Sequence, residues 1–295
     1  MGALTSKPFR YSARTWELAR RRSVSPHDSL GANLVVQVKG DRVMRVVPFE
    51  DDAVNECWIS DRDRFSYEGL NSEDRLSAPM IKGTDGKWQE ASWADALAAV
   101  AQGLSRVRDS FGAGQIGALA SEYATTEEYA LLGRLVRALG SENIDFRLRQ
   151  TDAAFDAALT GAPWLGMPIA ELDNLDRVLV VGSFLRKDHP LMAQRLRQAA
   201  KRGTQILMVD SAADDPLMPV AGRITVAPSE LPRALAEVAV ALAQAKDAAV
   251  PAEFASVTPG ENAKIIAASL ASGANTAVLL GNLACLLYTS PSPRD

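Results

Sequence analysis

The apolar positions change period once along the chain. From Leu34 to Pro48, "LVVQVKGDRVMRVVP", apolar and polar residues alternate on either side of Lys39-Gly40-Asp41, the pattern of a β-hairpin. "WISDRDRFSYEGLNSEDRL", Trp58 to Leu76, follows with no clean period, and residues 12–75 together predict a small β-rich module. From residue 92 the period becomes that of a helix. Ser92 precedes apolar residues at Trp93, Leu97, Val100, Ala101 and Leu104, one helical face behind a serine cap. "QIGALAS" predicts a short strand, and "TTEEYALLGRLVRALGS" a second helix capped by Thr125 or Thr126 and ending near Gly140. "RVLVVGS", Arg177 to Ser183, is a continuous apolar run and predicts a strand buried on both faces. Next come a helix ending at Gly203, the strands "TQILMVD" and "RITVA", the long helix "SELPRALAEVAVALAQAKDA", and the helix–strand pair "ENAKIIAASLASG" and "TAVLLGN". Strands alternating with helices from about 92 to 283 predict an α/β fold. Its sheet is doubly wound and mainly parallel, with helices on both faces and right-handed crossovers.

Composition narrows the class without naming a function. With 295 residues, 47% apolar and 23% charged, the chain has the make-up of one large or two medium globular domains. A net charge of −4 gives no reason to expect a nucleic acid partner. The longest apolar runs fall far short of the ~20 residues of a membrane span, and the N-terminal stretch has no signal-peptide core. Two cysteines, Cys57 and Cys285, and two histidines, His27 and His189, are too few for a disulfide framework or a four-ligand metal or iron–sulfur site. They point to a reducing compartment.

Four stretches carry candidate chemistry. "VVGSFLRKDHP" lies between a buried strand and a helix, where Gly182 and Ser183 can face a phosphate. It also reads as a tight turn with Ser183 or Asp188 capping the helix, and the lack of a G-x-G-x-x-G or G-K-[ST] motif favours the turn. His189, beside Pro190 and without a neighbouring Cys or carboxylate cluster, reads as a cap or a packed side chain. Arg20, Arg21 and Arg22 read as a solvated basic edge, with an anionic group or a partner subunit as the alternative. "DRDRF" and "SEDRL" read as carboxylate–arginine pairs on the surface rather than general acid–base residues. No residue is assigned a catalytic role.

The stretch from Ser23 to Arg75, with "GALTSKPFRYSARTWEL" before it, resembles the family of the large iron–sulfur subunit of respiratory complex I, the NADH-quinone oxidoreductase. The resemblance covers residues 2 to about 284, motif by motif over the first 75 and at the level of fold beyond. That family is similar to molybdopterin oxidoreductases such as formate dehydrogenase. There a 4Fe-4S Mo/W bis-MGD-type module carries C-x-x-C-x-x-x-C and a distant fourth cysteine around a [4Fe–4S] cluster. Aligned on "SLGAN", the corresponding positions here are Ser25, Asp28, Ala32 and Ser60, and Cys57 stands three residues off register. The molybdenum-ligand position of the relatives falls near Thr151, without the neighbouring histidine. The resemblance therefore implies a degenerate module over 12–75, no cofactor or metal site in this chain, and a truncated molybdopterin oxidoreductase-like domain over 76–284. It implies a non-catalytic structural region whose partners are other peripheral-arm subunits, with no nucleic acid and no membrane span. That places it peripherally on the cytoplasmic face of a bacterial inner membrane. NADH oxidation, quinone reduction and proton translocation belong to the assembled complex. The alternatives are an active molybdopterin oxidoreductase and a nucleotide-binding module at Gly182.

Both ends carry expectations of their own. In the family a cysteine, a proline and a valine precede "GALTSK", so Met1 stands where the family has valine, as when a valine codon serves as initiator. Residues 1–11 are then a remnant of an upstream cluster-binding domain, and the [2Fe–2S] and [4Fe–4S] clusters lie upstream in the parent subunit. The tail "CLLYTSPSPRD", Cys285 to Asp295, has no helix or strand period, and one set of codons for it spells a transposase-type sequencing adapter in frame. Residues 285–295 are expected to be an adapter translation and are set apart from the fold.

Overall fold

A computed structural model describes residues 5–147, 157, 160–161 and 164–285 of the chain. Thr151 and the tail residues 286–295 lie outside the described residues. The alternating stretch folds as the expected hairpin: β2 (Asn33–Lys39) pairs antiparallel with β3 (Arg42–Pro48) across Gly40 and Asp41. Gly40 sits at φ +58, where a residue without Cβ carries no penalty. β1 (Ala19–Val24), which contains the three arginines, pairs antiparallel with β2 and completes the sheet β1-β2-β3. Helix α1 (Asp61–Phe65) closes the module, and Leu34, Val46, Ile59 and Tyr67 form its core. Asn55 is buried and fixes the connection into α1. Its amide donates to the Phe49 and Trp58 carbonyls at 3.1 Å, and its Oδ1 accepts from the Asn33 N–H at 3.0 Å.

The chain divides into two compact units, Met1–Tyr67 with Arg149–Asp295, and Glu68–Leu148. The second unit opens with a hairpin that the pattern analysis does not anticipate, β4 (Met80–Lys82) with β5 (Trp88–Glu90), turning at Asp85-Gly86. α2 (Trp93–Phe111) begins at Ser92, whose hydroxyl accepts from the Asp95 N–H at 3.1 Å. β6 (Ala118–Leu119) leads to α3 (Thr126–Ala138), capped by Thr125 in a capping box with Glu128, and β7 (Ile144–Asp145) pairs parallel with β6. The α2 stripe read from the sequence is present but not buried: Trp93, Leu97 and Val100 are 72%, 63% and 56% exposed. Two paired strands of two residues offer little sheet surface within this unit for a five-turn helix to cover.

The remainder of the first unit is the α/β layer. β8 (Arg177–Val181) runs into the single turn α4 (Leu185–Asp188) and α5 (Pro190–Lys201). β9 (Gln205–Asp210), β10 (Gly222–Thr225), α6 (Leu231–Ala245), α7 (Glu261–Ala271) and β11 (Thr276–Leu280) follow. All four strands are parallel in the order β10-β9-β8-β11, so the winding reverses at β8. Side chains alternate between two cores. Val178, Val180, Ile206 and Met208 meet Met192, Ala193 and Leu196 of α5. Leu179, Val181, Leu207 and Val209 meet Leu231, Ala234 and Val238 of α6 and Ala263, Ile266 and Leu270 of α7. Helices thus cover both faces, as the continuous apolar runs require, and each buried Leu, Ile or Val contributes about 1.5–3 kcal/mol.

One cation ties the small module to this layer. Arg195 of α5 is 4% exposed. It pairs with Asp173 at 2.8 Å, donates to the Asp52 and Val54 carbonyls at 2.7 and 3.1 Å, and lies 3.6 Å from Glu56. Truncating one member of a buried, hydrogen-bonded charge set leaves the others unpaired and costs about 3–5 kcal/mol. Arg195→Ala is therefore expected to lower unfolding stability by about that amount in a urea titration. A loss under about 1 kcal/mol would show that Asp173 and the two carbonyls are satisfied without it.

Candidate functional site

Ser25, Asp28 and Ala32 lie on one turn, Ser60 is brought beside it from a distance in sequence, and all four are buried. β1 ends at Val24, and the turn 25–32 leads back into β2. The turn is held by the Ser25 hydroxyl, which accepts from the N–H groups of His27 at 3.1 Å and Asp28 at 2.8 Å. The Ser25 N–H bonds the Ala32 carbonyl at 2.8 Å, and Gly31 takes φ +68 to reverse the chain. Ser60 arrives from the other side as the N-cap of α1, accepting from the Asp63 N–H at 3.1 Å.

Asp63 occupies the space between them. Its carboxylate accepts from the Ser25 hydroxyl at 2.7 Å through one oxygen and from the Ser60 hydroxyl at 2.9 Å through the other. The first and fourth positions are therefore bridged by one buried carboxylate, 2% exposed. Asp28 stands beside this network with one oxygen on the Leu30 N–H at 2.9 Å and the other buried without a partner among the described residues. Burial pushes the Asp28 carboxyl up from its ordinary value; the Leu30 N–H opposes the shift and the charge of Asp63 adds to it.

A [4Fe–4S] cluster takes four thiolates. The residues here are two hydroxyls committed to Asp63, a carboxylate and a methyl group, and they do not fit one. No group of three or more His, Cys, Asp or Glu placed to hold a metal ion occurs among the described residues. Cys57 is exposed and free.

The sequence reading misses Asp63 as part of this site. The expected carboxylate–arginine pairing of "DRDRF" with "SEDRL" does not occur among the described residues: Asp63 turns inward to the serines, and Arg62 donates to the Lys187 carbonyl at 2.9 Å. Adjacent residues of a helix do not face each other, so Arg62 and Asp63 point apart. The available signal was Ser60-x-x-Asp63, a capping-box spacing.

The other candidates are placed as follows. His189 packs against the module, its Nδ1 2.7 Å from the Ser29 hydroxyl. Neither Ser183 nor Asp188 caps a helix; His189 is the N-cap of α5 without a side-chain bond, and Pro190 at the first position removes one N–H that would need a partner. The Ser183 hydroxyl is buried without a partner among the described residues. At Gly182, φ +59, an added Cβ would lie 2.7 Å from the Ala284 nitrogen, and the Leu283 N–H bonds the Gly182 carbonyl at 3.0 Å. The space at this strand end is thus filled by residues 281–284 of the same chain. Arg20, Arg21 and Arg22 lie on the exposed edge strand β1, a solvated basic edge. The position near Thr151 lies outside the described residues.

Two family models match the chain: molybdopterin oxidoreductase over residues 75–271, and the NADH-ubiquinone oxidoreductase NDSU1/NuoG-like 4Fe-4S domain over residues 18–68. The chain is similar to the G subunit of the NADH-quinone oxidoreductase of Rickettsia felis, 36% identical over 69% of this chain and 29% of that protein. It is also similar to the mitochondrial NADH dehydrogenase [ubiquinone] iron-sulfur protein 1 of Solanum tuberosum, 35% identical over 72% of this chain and 28% of that protein. The chain thus spans under a third of the length of these curated relatives. In fold it is similar to acetylene hydratase from Pelobacter acetylenicus, with a TM-score of 0.62, 14% identity, and coverage of 90% of this chain and 40% of that one.

The electrostatics of the turn set a pH dependence. A carboxyl whose value is raised by folding binds its proton more tightly in the folded state, so stability falls as pH rises from the unfolded value through the folded one. The penalty of Asp28 is fully expressed only above the raised folded value. Asp28→Asn is expected to stabilise the protein at pH 7 by about 1 kcal/mol, an advantage that vanishes once Asp28 is protonated in acid. Asp63→Ala is expected to destabilise by about 2 kcal/mol, since two hydroxyls lose a charged acceptor. Chemical denaturation at pH 7 and in acid reads both, and a stabilisation by Asp28→Asn that is equal at the two pH values would refute the burial argument.

Proposed function

The chain belongs to the molybdopterin oxidoreductase family, and from that premise we propose that it is a structural region of a complex I large iron–sulfur subunit without a redox centre of its own. It supports NADH-to-quinone electron transfer coupled to proton translocation by packing against the other peripheral-arm subunits and holding the cluster-bearing parts in place. Electron transfer between clusters needs fixed distances, and an α/β layer packed on both faces supplies rigidity without reacting. In this reading residues 12–75 are a degenerate cluster module and 76–284 a molybdopterin oxidoreductase-like domain. The protein sits peripherally at the cytoplasmic face of the bacterial inner membrane. No helix of the described residues is long and apolar enough to cross a membrane.

The observation that carries the proposal is the Ser25–Asp63–Ser60 network. It fills the ligand positions with hydroxyl–carboxylate bonds and leaves a methyl group at Ala32. The match of the molybdopterin oxidoreductase model over residues 75–271 favours a second reading, an active molybdopterin enzyme. Elemental analysis of the purified protein separates the two. We expect iron, molybdenum and tungsten all below about 0.1 per chain; iron near four per chain, on the order of one [4Fe–4S] cluster, or stoichiometric molybdenum or tungsten, would overturn the proposal.

A further inference from the structure

We infer that the cleft formed by residues 5–11, β3 and α1 binds a small organic phosphate monoester. The cleft has a volume of about 430 Å³, within the range of small-molecule sites. Arg10, Arg45 and Arg64 line it together with Thr5 and Ser6. Cations are concentrated on this side of the module. Residues 1–24 hold six Lys or Arg and one acid, Glu17, in a chain whose net charge is −4.

Each of the three guanidiniums keeps donors in reserve. Arg10 donates through Nε and Nη2 to the Thr5 hydroxyl at 3.1 and 3.0 Å, which occupies one edge of its fork and leaves the Nη1 side. Arg45 donates through Nε to the Gln37 amide oxygen and stacks over Phe9, its guanidinium 4.2 Å from the ring centre. Its Nη1 and Nη2 groups have no acceptor among the described residues. Arg64 of α1 makes no side-chain hydrogen bond or ion pair among the described residues. Glu17 is engaged by Lys39 at 2.8 Å. Arg20 is in register with Gln37, and Gln37 with Arg45, so a further cation stands across the sheet. Burial, with the charge of Arg20, holds Arg45 below the ordinary arginine value.

A partly desolvated guanidinium among cations lacks the anion that would offset its cost. A tetrahedral dianion meets this need better than a carboxylate. It offers three oxygens and two charges to three separate donors, whereas a carboxylate offers one planar edge that a single guanidinium fork saturates. The Thr5 hydroxyl already accepts two N–H groups and keeps its own proton to donate to the same anion. A phosphate group occupies a few water volumes of about 30 Å³ each, which leaves most of the cleft for an organic portion. Phe9 and Val47 also line the cleft and give that portion an apolar wall. The site does not depend on the family reading, because it rests only on the cations and the size of the cleft.

The test is isothermal titration calorimetry of the full chain with phenyl phosphate. Benzoate serves as the carboxylate of similar size, phenyl sulfate as the tetrahedral monoanion, and inorganic phosphate as the group without its organic portion. Arg10→Gln and Arg64→Gln are compared with Arg106→Gln, an exposed arginine of α2 in the other unit, and circular dichroism checks folding. Arg64 has no side-chain partner to lose among the described residues, so its replacement does not threaten the fold. We expect saturable binding of phenyl phosphate that each cleft variant weakens about tenfold, the effect of one charge-assisted hydrogen bond. Arg106→Gln should leave it unchanged, and the other three probes should bind about tenfold more weakly or less. No binding of phenyl phosphate, binding that survives both cleft variants, an equal loss in Arg106→Gln, or any other probe binding as tightly each overturn the inference. The elemental analysis is unaffected by any of these results.

Discussion

Strands β8 and β9 have no solvent face, and the rest of the first unit follows from that. Val178 to Val181 and Ile206 to Val209 are all buried. Eight consecutive-strand side chains buried alternately up and down demand cover on both sides. α5 supplies one cover and the pair α6–α7 the other, which makes the connections crossovers and the strands parallel. The same arrangement brings α5 against the small module, where Arg195 and His189 meet the 52–56 turn and Ser29. The hydrophobic demand of two short strands thus reaches, through one helix, to the polar contacts that join module and layer.

Inside the module, a polar network does the work of organisation. A buried carboxylate is tolerable only when hydrogen bonds replace its water. Asp63 meets that condition with two hydroxyl donors, while Ser25 and Ser60 each also accept backbone N–H bonds. The turn 25–32, the cap of α1 and the strand β1 are locked together through three side chains. Asp28 is the poorly satisfied neighbour, carrying a buried oxygen without a partner among the described residues. The network is stable because its members are complementary, and the same complementarity leaves the hydroxyls no free role as ligands.

The second unit shows the opposite economy. Its helices are well formed by local rules, yet the apolar stripe of α2 remains exposed. Caps and periodicity suffice to define a helix; they do not provide a surface to bury it. The first unit leaves charge open in the arginines around β3, and apolar side chains such as Trp16 and Trp164 as well. Both features belong to a chain that spans under a third of its curated relatives.

Local pattern made much of this legible. The hairpin around Gly40, the caps Ser92 and Thr125, and the parallel sheet all follow from short-range rules: turn chemistry, side-chain acceptors for orphan N–H groups, and continuous apolar runs. The resemblance picked out Ser25, Asp28, Ala32 and Ser60, and the fold brings them together. Asp63 escaped, because its partner Ser25 lies 38 residues away and its neighbours in sequence offered plausible salt bridges. Arg195 escaped for the same reason, its carbonyl partners lying 141 and 143 residues away. The filling of the space at Gly182 by residues 281–284 depends on β11 returning beside β8, which no local signal encodes. Sequence alone determined the hairpin around Gly40, the capped helices, the buried strands of the parallel sheet, and which positions carry hydroxyls in place of thiols. Tertiary structure decided which of them meet, because burial, charge pairing and hydrogen-bond satisfaction are settled between residues far apart along the chain.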